Sequence, residues 1–258
     1  MSFFNRLTSL TTLRSKSLLT ASNPQHNDFY VVEFPKSGIT WLSALLANIA
    51  LIESGRGETA SFTAAHLFVP DIHITRYIAQ MPYTNPPVRF IKSHSKYNDN
   101  YIFVIYLARH PLSVMKSYFL FNTGMFGKKY SSFSDFCRNR SCGIPAWKRH
   151  VRSWFFRPET SQRLHLVRYE DMLESPGQQL KQISDNFGWG INAESVGRAV
   201  TICSKDNMVK DEENYRAHNP RYGFKFVDAR ASLSVSDDTR SYITATCDQE
   251  LRMLGYIQ

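Results

Sequence analysis

The stretch DFYVVEFPKSGITWLSALLANI, residues 28–49, decides the fold of this chain. It opens as a continuous apolar run rich in valine and aromatics, which is typical of a buried strand. From Thr40 onward the apolar residues recur at helical spacing. A strand that turns tightly into a helix directs the unpaired N–H groups of the first helical turn toward the strand end, where they favour an anion. We therefore predict a phosphate-binding loop after the first strand.

The turn itself carries side chains suited to that role. Lys36 supplies a positive charge, Ser37 and Thr40 supply hydroxyls, and Gly38 allows the backbone to approach a ligand closely. The alternative is an ordinary strand–turn–helix unit in which the serine only caps the helix.

The rest of the chain repeats the alternation of strands and helices. Further strands are predicted at 88–94, 101–110 and 163–172, and helices at 40–54, 111–121, 145–156, 175–188, 193–203 and 238–256. Strands without polar alternation, joined by helices, indicate a parallel sheet covered on both faces. We expect an α/β three-layer sandwich that forms a single domain over 28–258. Segments 55–87 and 204–237 are expected to be irregular and to act as lids.

Residues 1–27 form a separate N-terminal arm in this interpretation. They contain Arg6, Arg14 and Lys16, nine Ser or Thr and no acidic residue. An amphipathic arm packed on the domain, an organelle-targeting segment and a weak membrane-surface helix all fit this composition.

Bulk properties narrow the choice of partner. The 258 residues carry a formal charge of +9, which predicts an anionic partner. The four cysteines show no metal-binding spacing, so neither a zinc site nor a disulfide framework is expected. No apolar run approaches the length of a membrane span.

An ATP-dependent kinase is a rival that the sequence can test. The motif of such enzymes requires a glycine five positions before a Gly-Lys pair, and at Gly127-Lys128 that position is Asn122. No aspartate closes an apolar strand in the manner of a Mg²⁺ ligand. A ligand whose reaction needs no metal is expected.

The other predicted strand ends also carry chemistry-bearing side chains. Ligands bind at the carboxyl edge of a parallel sheet. That edge includes Lys92 and His94, then Arg109 and Ser117, then Tyr169. A histidine at this edge has the pKa needed to take a proton from a hydroxyl group near neutral pH.

At this point the residues resemble a known family. FPKSGITWL (34–42) is similar to the 5′-phosphosulfate loop of the cytosolic-type sulfotransferases, which use 3′-phosphoadenosine 5′-phosphosulfate (PAPS). LARHPLSVMKSY (107–118) resembles the family's 3′-phosphate segment, and IKSHS (91–95) resembles the segment with its catalytic base.

The resemblance implies a role for each matched residue. Catalysis falls to four: His94 as general base, Lys36 at the leaving oxygen, Lys92 at the transferring sulfuryl group, and Ser117, which restrains Lys36 until the acceptor arrives. The implied cofactor-binding residues are Lys36, Ser37, Gly38, Ile39, Thr40, Trp41 (stacked on adenine), Arg109, Ser117, Tyr169, Ser204, Met208, Arg221, Tyr222 and Gly223. No metal is implied.

The sequence also departs from the family. Ile39 replaces a threonine, and Lys205 stands where an aromatic residue packs on adenine. RYGFKF (221–226) is a shortened form of a longer phosphate-binding element. The family's C-terminal dimer motif is missing, so dimerisation by that route is not expected.

The acceptor stays open between a carbohydrate, a glycolipid and a small alcohol or phenol. Residues 138–168 hold eight Lys or Arg and one acid, which suits an acidic acceptor, an anionic membrane or a solvated helix face. Aromatic and methionine residues could instead line an apolar pocket or belong to the core: Phe119, Phe121, Met125, Phe126, Phe133 and Phe136.

Two other functions are weighed against a sulfotransferase. The first is a small-molecule kinase with a degenerate loop, and the second is a non-catalytic polyanion-binding protein. No nucleic-acid motif is present, so nucleic acid is not expected as a partner. The expected location is the cytoplasm, with an organelle or a membrane surface as the alternative if 1–27 acts as a signal.

Overall fold

The computed structural model describes residues 28–55, 57–73, 89–157, 164–219 and 233–258. The expectations for 1–27 and for Arg221, Tyr222 and Gly223 lie outside these ranges. The strands are β1 (Asp28–Glu33), β2 (Arg89–Ser93), β3 (Phe103–Ala108) and β4 (Leu164–Arg168). The helices are α1 (Ile39–Glu53), α2 (Pro111–Phe126), α3 (Phe133–Arg138), α4 (Ile144–Phe155), α5 (Tyr169–Glu174), α6 (Pro176–Phe187), α7 (Ala193–Ile202), α8 (Lys205–His218) and α9 (Asp237–Met253), with a 3₁₀ turn at Ala65–Leu67.

The four strands form one parallel sheet in the order β2-β1-β3-β4. Val31 of β1 lies opposite Lys92 of β2 on one side and Ile105 of β3 on the other. This register brings the carboxyl ends of all four strands to one edge of the sheet. The expected fold class is confirmed.

Helices cover both faces of the sheet, and β1 is therefore buried along its whole length. Phe29 and Val31 face a core that includes α1 and α7. Tyr30 and Val32 point the other way, into a core that includes α2, α4 and α9. Alternate residues of a strand point to opposite faces, so the continuous apolar run of β1 serves two cores and produces the three layers.

Among the differences from the sequence-based expectation, two concern elements next to the candidate site. The predicted strand over 163–172 ends at Arg168, and Tyr169–Glu174 is helical. Glu170 and Asp171 lie in the first turn of that helix, where acidic side chains complement the helix dipole.

The second difference lies in segment 204–237, where an irregular lid was expected. Its first part is the 14-residue helix α8. Asp206 lies in its first turn and Arg216 and His218 in its last, as the helix dipole favours. Met208 and Glu212, one turn apart, are the two buried residues of α8. Because only these two positions are buried, the helix has a weak amphipathic pattern, and for that reason it was not predicted from the sequence.

Within the described ranges, no helix combines the length and the apolar character that crossing a bilayer requires.

Candidate active site

The loop between β1 and α1 has the backbone shape of a tight anion-binding turn. Lys36 has a φ of 78° and Gly38 a φ of 114°. A Cβ atom on Gly38 would lie 2.4 Å from Cδ2 of Tyr169, so the ring of Tyr169 fills the space that a larger residue would need. Glycine at position 38 is therefore required both by the backbone and by the packing of α5 against the loop.

Glu33, the last residue of β1, braces this loop from the inside. Its carboxylate accepts hydrogen bonds from the backbone N–H of Lys36 at 3.2 Å and of Ile39 at 2.8 Å. Its side chain is only 2% exposed, and burial raises the pKa of the carboxyl to about 7, although Lys92 opposes the shift. Sequence analysis missed Glu33. The available signal was an acidic residue inside an otherwise apolar strand.

The hydroxyl of Ser37 also serves the loop itself. It donates to the carbonyl oxygen of Phe34 at 2.8 Å, and the backbone N–H of Ser37 donates to the same oxygen. The Ile39 side chain is buried in the core beneath α1. Thr40 lies in the first turn of the helix and is partly exposed.

Arg109 lies at the end of β3 and reaches the loop. Its Nη1 donates to the carbonyl oxygen of Lys36 at 3.2 Å, and its guanidinium lies 4.4 Å from the centre of the Tyr169 ring. The Nε atom is buried and has no hydrogen-bond partner among the described residues. A buried, unsatisfied guanidinium N–H next to a phosphate-type loop is the arrangement expected of a site that is completed by an anion.

Trp41 connects the loop to the start of α8. Its indole N–H donates to the carbonyl oxygen of Cys203 at 3.0 Å, and its ring contacts Tyr169 edge to face at 6.0 Å between centroids. Ser204 is the N-cap residue of α8, and Met208 is buried one turn further on. The structure thus brings Trp41, Tyr169 and Ser204 to the same side of the loop.

His94 lies between two carboxylates just beyond β2. Nδ1 is 3.8 Å from Oε1 of Glu33, and Nε2 is 3.7 Å from Oδ2 of Asp71. Burial lowers the pKa of His94 to about 4, and the positive charge of Lys92 adds to the decrease. The ring is therefore neutral at pH 7, and both contacts become ion pairs only once His94 has accepted a proton. Nδ1 also lies 3.4 Å from the Glu33 carbonyl oxygen, which favours the tautomer that leaves Nε2 as acceptor.

Asp71 is a second residue that sequence analysis missed. Its carboxylate pairs with the Lys92 ammonium at 3.2 Å, and the backbones of Asp71 and Lys92 form an isolated parallel β-bridge. The same segment carries His73, whose Nε2 accepts from the backbone N–H of His94 at 3.1 Å. The segment from 55 to 87, in which Asp71 and His73 lie, is where the family resemblance is faint, so no motif pointed to them.

The Lys36 side chain extends toward α2. Its ammonium lies 4.2 Å from the ring centre of Phe121, and burial lowers its pKa to about 8, with Glu33 opposing the decrease. Ser117 precedes Phe121 by one helical turn and therefore lies on the same face of α2. The charged end of Lys36 is thus directed to the part of α2 that carries Ser117.

The candidate acceptor aromatics divide into two sets. Phe119 contacts Phe133 and Phe136, and the latter two are buried in the core. Phe121 contacts Phe126 at 5.1 Å between ring centroids, and Phe126 is 55% exposed. Of these two sets, the second lies at the surface beside Lys36.

Several basic residues from 138–168 form contacts inside the domain. Arg152 and Lys148 on α4 contact the buried Glu250 of α9 at 2.8 and 3.7 Å. Arg138 pairs with Asp238 at 2.8 Å. These contacts give the basic residues a structural function in holding α9 to the rest of the domain.

Comparisons with known proteins identify the family of this chain. A family profile described as "Sulfotransferase domain" matches residues 26–228. Cytosolic sulfotransferase 8 of Arabidopsis thaliana is 23% identical over 256 residues, which is 90% of this chain and 76% of that protein. Sulfotransferase 1A1 of Rattus norvegicus is 27% identical over 198 residues, which is 70% of this chain and 67% of that protein.

Solved structures share the fold. Mouse sulfotransferase SULT7A1, complexed with PAP, superposes with a TM-score of 0.59 at 17% identity, over 98% of this chain and 90% of that one. Retinol dehydratase, in complex with androsterone and the inactive cofactor PAP, superposes with a TM-score of 0.59 at 16% identity. The match covers 89% of this chain and 80% of that one.

The profile spans more than half of the residues, so the chain belongs to the sulfotransferase domain family. The family and the enzyme class expected from the sequence are confirmed: the protein is a sulfotransferase.

Proposed function

We propose that the enzyme transfers a sulfuryl group from PAPS to an acceptor hydroxyl without a metal ion. The observation that carries the proposal is Arg109, whose buried Nε has no hydrogen-bond partner in the described part of the chain, although Lys36 O and the Tyr169 ring fix the guanidinium. A phosphate group would satisfy that donor at the place where the family motif expects the 3′-phosphate. The PAP bound by two structural neighbours supports the same cofactor.

The loop would hold the 5′ side of the nucleotide. Gly38 and the first turn of α1 form its backbone, and Lys36 supplies a cation. When bound, the cofactor supplies the activated sulfuryl group. Trp41, Tyr169 and Ser204 surround the loop on the side expected for adenine. We include Arg221, Tyr222 and Gly223 in the site on the strength of the motif alone.

His94 would take the proton of the acceptor hydroxyl. The ring is neutral at pH 7, and its Nδ1 lies next to the Glu33 carbonyl, so Nε2 is left to accept. The imidazolium that forms would lie 3.7 Å from the Asp71 carboxylate, whose negative charge would stabilise it, while Oε1 of Glu33 lies 3.8 Å away on the other side of the ring.

Lys36 and Lys92 would neutralise the negative charge that develops during transfer. One N–H of Lys92 is used by Asp71, and an ammonium has two more to offer. Ser117 would contact the 3′-phosphate and restrain Lys36, whose ammonium already lies over Phe121 on the same face of α2.

The acceptor is proposed to be a small alcohol or phenol with an apolar body. Phe121 and Phe126 form an aromatic surface next to Lys36, whereas three of the eight basic residues of 138–168 pair with acidic residues of α9. Neighbours solved with retinol and androsterone point the same way. A cytoplasmic location is part of the proposal and is supported by the names of the plant relatives.

The test is calorimetric binding of PAP and of ATP in the presence of EDTA. We expect micromolar PAP binding and a tenfold to hundredfold loss, roughly, in Arg109→Ala, because the variant loses charge-assisted hydrogen bonds. Arg138→Ala, an arginine paired with Asp238 outside the site, is the matched control and should bind like wild type. His94→Gln should bind PAP normally but lose transfer to a panel of phenols and sterols. ATP preferred over PAP once Mg²⁺ is added would favour the kinase alternative and refute the proposal.

A further inference from the structure

The buried carboxyl of Glu33 occupies part of the anion site before any ligand arrives. Its oxygens accept from the N–H groups of Lys36 and Ile39, and Ile39 is the first residue of α1. The N–H groups at the start of a helix are the ones that favour a phosphate. A phosphate entering the loop therefore meets a negative charge that is already bonded to the loop backbone.

Water cannot screen this repulsion. The Glu33 side chain is 2% exposed, and charges in such surroundings interact much more strongly than at a protein surface. The carboxyl can lower this electrostatic repulsion by accepting a proton, because protonation removes its negative charge. A protonated carboxyl keeps a carbonyl oxygen as hydrogen-bond acceptor, so it can continue to brace the loop.

We propose that Glu33 takes up a proton from solvent when a phosphate group binds to the loop, so that cofactor binding and the ionisation of this carboxyl are linked. The proposal rests on the proposed function, in which the loop holds the 5′ side of PAPS or PAP. It adds to that function a proton-linked residue outside the family motif.

The groups that face Glu33 decide the pH range of the effect. Lys36 faces it from the loop, Lys92 and His94 from the β2 side and Tyr106 from β3. Burial outweighs the two lysines and raises the pKa of Glu33 to about 7. The carboxyl is therefore largely ionised in the empty site at about pH 7.5, where uptake can be measured.

Further charged residues lie beside the groups that face Glu33. Asp71 faces Lys92 and His94, while Arg109 and Glu212 face Lys36. Lys36 needs a control of its own, because burial lowers its pKa to about 8 and an anion would also make it take up a proton. His94 remains neutral in the empty site at this pH, with a pKa lowered to about 4.

The experiment counts the protons bound when PAP binds. Calorimetric titrations at about pH 7.5, in buffers of different ionisation enthalpy, give this number directly, and PAP itself is almost fully ionised there because phosphate has a second pKa of about 6. These titrations use the variant Lys36→Arg, because an arginine at position 36 stays protonated throughout and contributes no proton uptake. We expect uptake of about half a proton or more, and close to none in Lys36→Arg/Glu33→Gln.

Two further measurements separate a linked proton from a structural role. Glu33→Gln should bind PAP at least about threefold more tightly than wild type at pH 8 and about equally at pH 6, since only the ionised carboxyl repels the ligand. Asp71→Asn removes the other carboxylate beside His94. Because Glu33 stays in place in this variant, proton uptake should persist, whereas it is lost when Glu33 is replaced.

The outcomes distinguish the two proposals. If wild type binds no PAP, the proposed function fails. If wild type binds PAP but Lys36→Arg and Lys36→Arg/Glu33→Gln take up equal numbers of protons, the linkage is wrong and the proposed function stands. The same conclusion follows if Glu33→Gln weakens PAP binding by the same factor at every pH. Should the Gln variants fail to fold, absence of proton uptake in Lys36→Arg still refutes the linkage.

Discussion

Replacing Gly38 by alanine tests the central packing argument of the site. Two costs are expected. The first is backbone strain, because Gly38 has a φ of 114°, and a side chain at positive φ costs about 1–2 kcal/mol. The second is overlap, since the new Cβ would lie 2.4 and 2.5 Å from Cδ2 and Cε2 of Tyr169. Forcing an extra methyl group into packed surroundings costs about 1–3 kcal/mol.

The overlap should also damage the cofactor site. The Tyr169 ring lies under Arg109 at 4.4 Å and against Trp41, so the ring cannot move away without displacing residues proposed to bind the nucleotide. We expect Gly38→Ala to lower stability by about 3 kcal/mol, or roughly 6–12 °C in Tm. PAP affinity should fall at least about tenfold. Urea denaturation, thermal melts and calorimetry measure these effects.

Two variants separate strain from overlap. Gly188 has a φ of 69°, and a Cβ atom added there would meet nothing within 4 Å, so Gly188→Ala should show the backbone cost alone. In a Tyr169→Ala background, Gly38→Ala should likewise cost only the backbone part, which a double-mutant cycle reveals. If Gly38→Ala retains wild-type stability and PAP binding, the description of this loop is wrong.

Two further predictions concern buried charges. Asp28→Asn should cost about 3–5 kcal/mol in urea denaturation, because it leaves the buried Arg89 without its counter-charge. The control Asp248→Asn, in the exposed pair with Arg252, should cost less than about 1 kcal/mol. Equal costs would contradict the burial argument. The pKa of the Glu33 carboxyl is raised from 4.5 to about 7, so the native state holds this proton more tightly than the unfolded state, and the contribution of Glu33 to stability is lost as the pH rises through that window. Wild type should therefore lose up to about 3 kcal/mol relative to Glu33→Gln between pH 4.5 and 7, and a difference that is constant with pH would show that Glu33 is not buried in its charged form.

Sequence reasoning predicted most residues of the candidate site because each short motif lies at the end of a strand. The loop after β1, Arg109 after β3 and His94 after β2 could be placed together as soon as a parallel sheet was inferred, since such a sheet brings its carboxyl ends to one edge. Helix α8 was missed because only two of its residues are buried, so it lacks a clear apolar face. The helical start at Tyr169 was missed because YEDM continues an apolar strand without a glycine or proline to mark the change.

The sequence by itself determined the alternation of strands and helices, the phosphate-type loop and the family, because these depend on local patterns of apolar residues and on motif spacing. Only the tertiary structure decided what surrounds His94 and Lys36. Glu33 accepts hydrogen bonds from beneath the loop, and Asp71 pairs with Lys92 across the sheet edge, and these contacts are the basis of the roles proposed for them. Burial and charge proximity set the ionisation of His94, Lys36 and Glu33, and both depend on which distant segments meet in space rather than on neighbours along the chain.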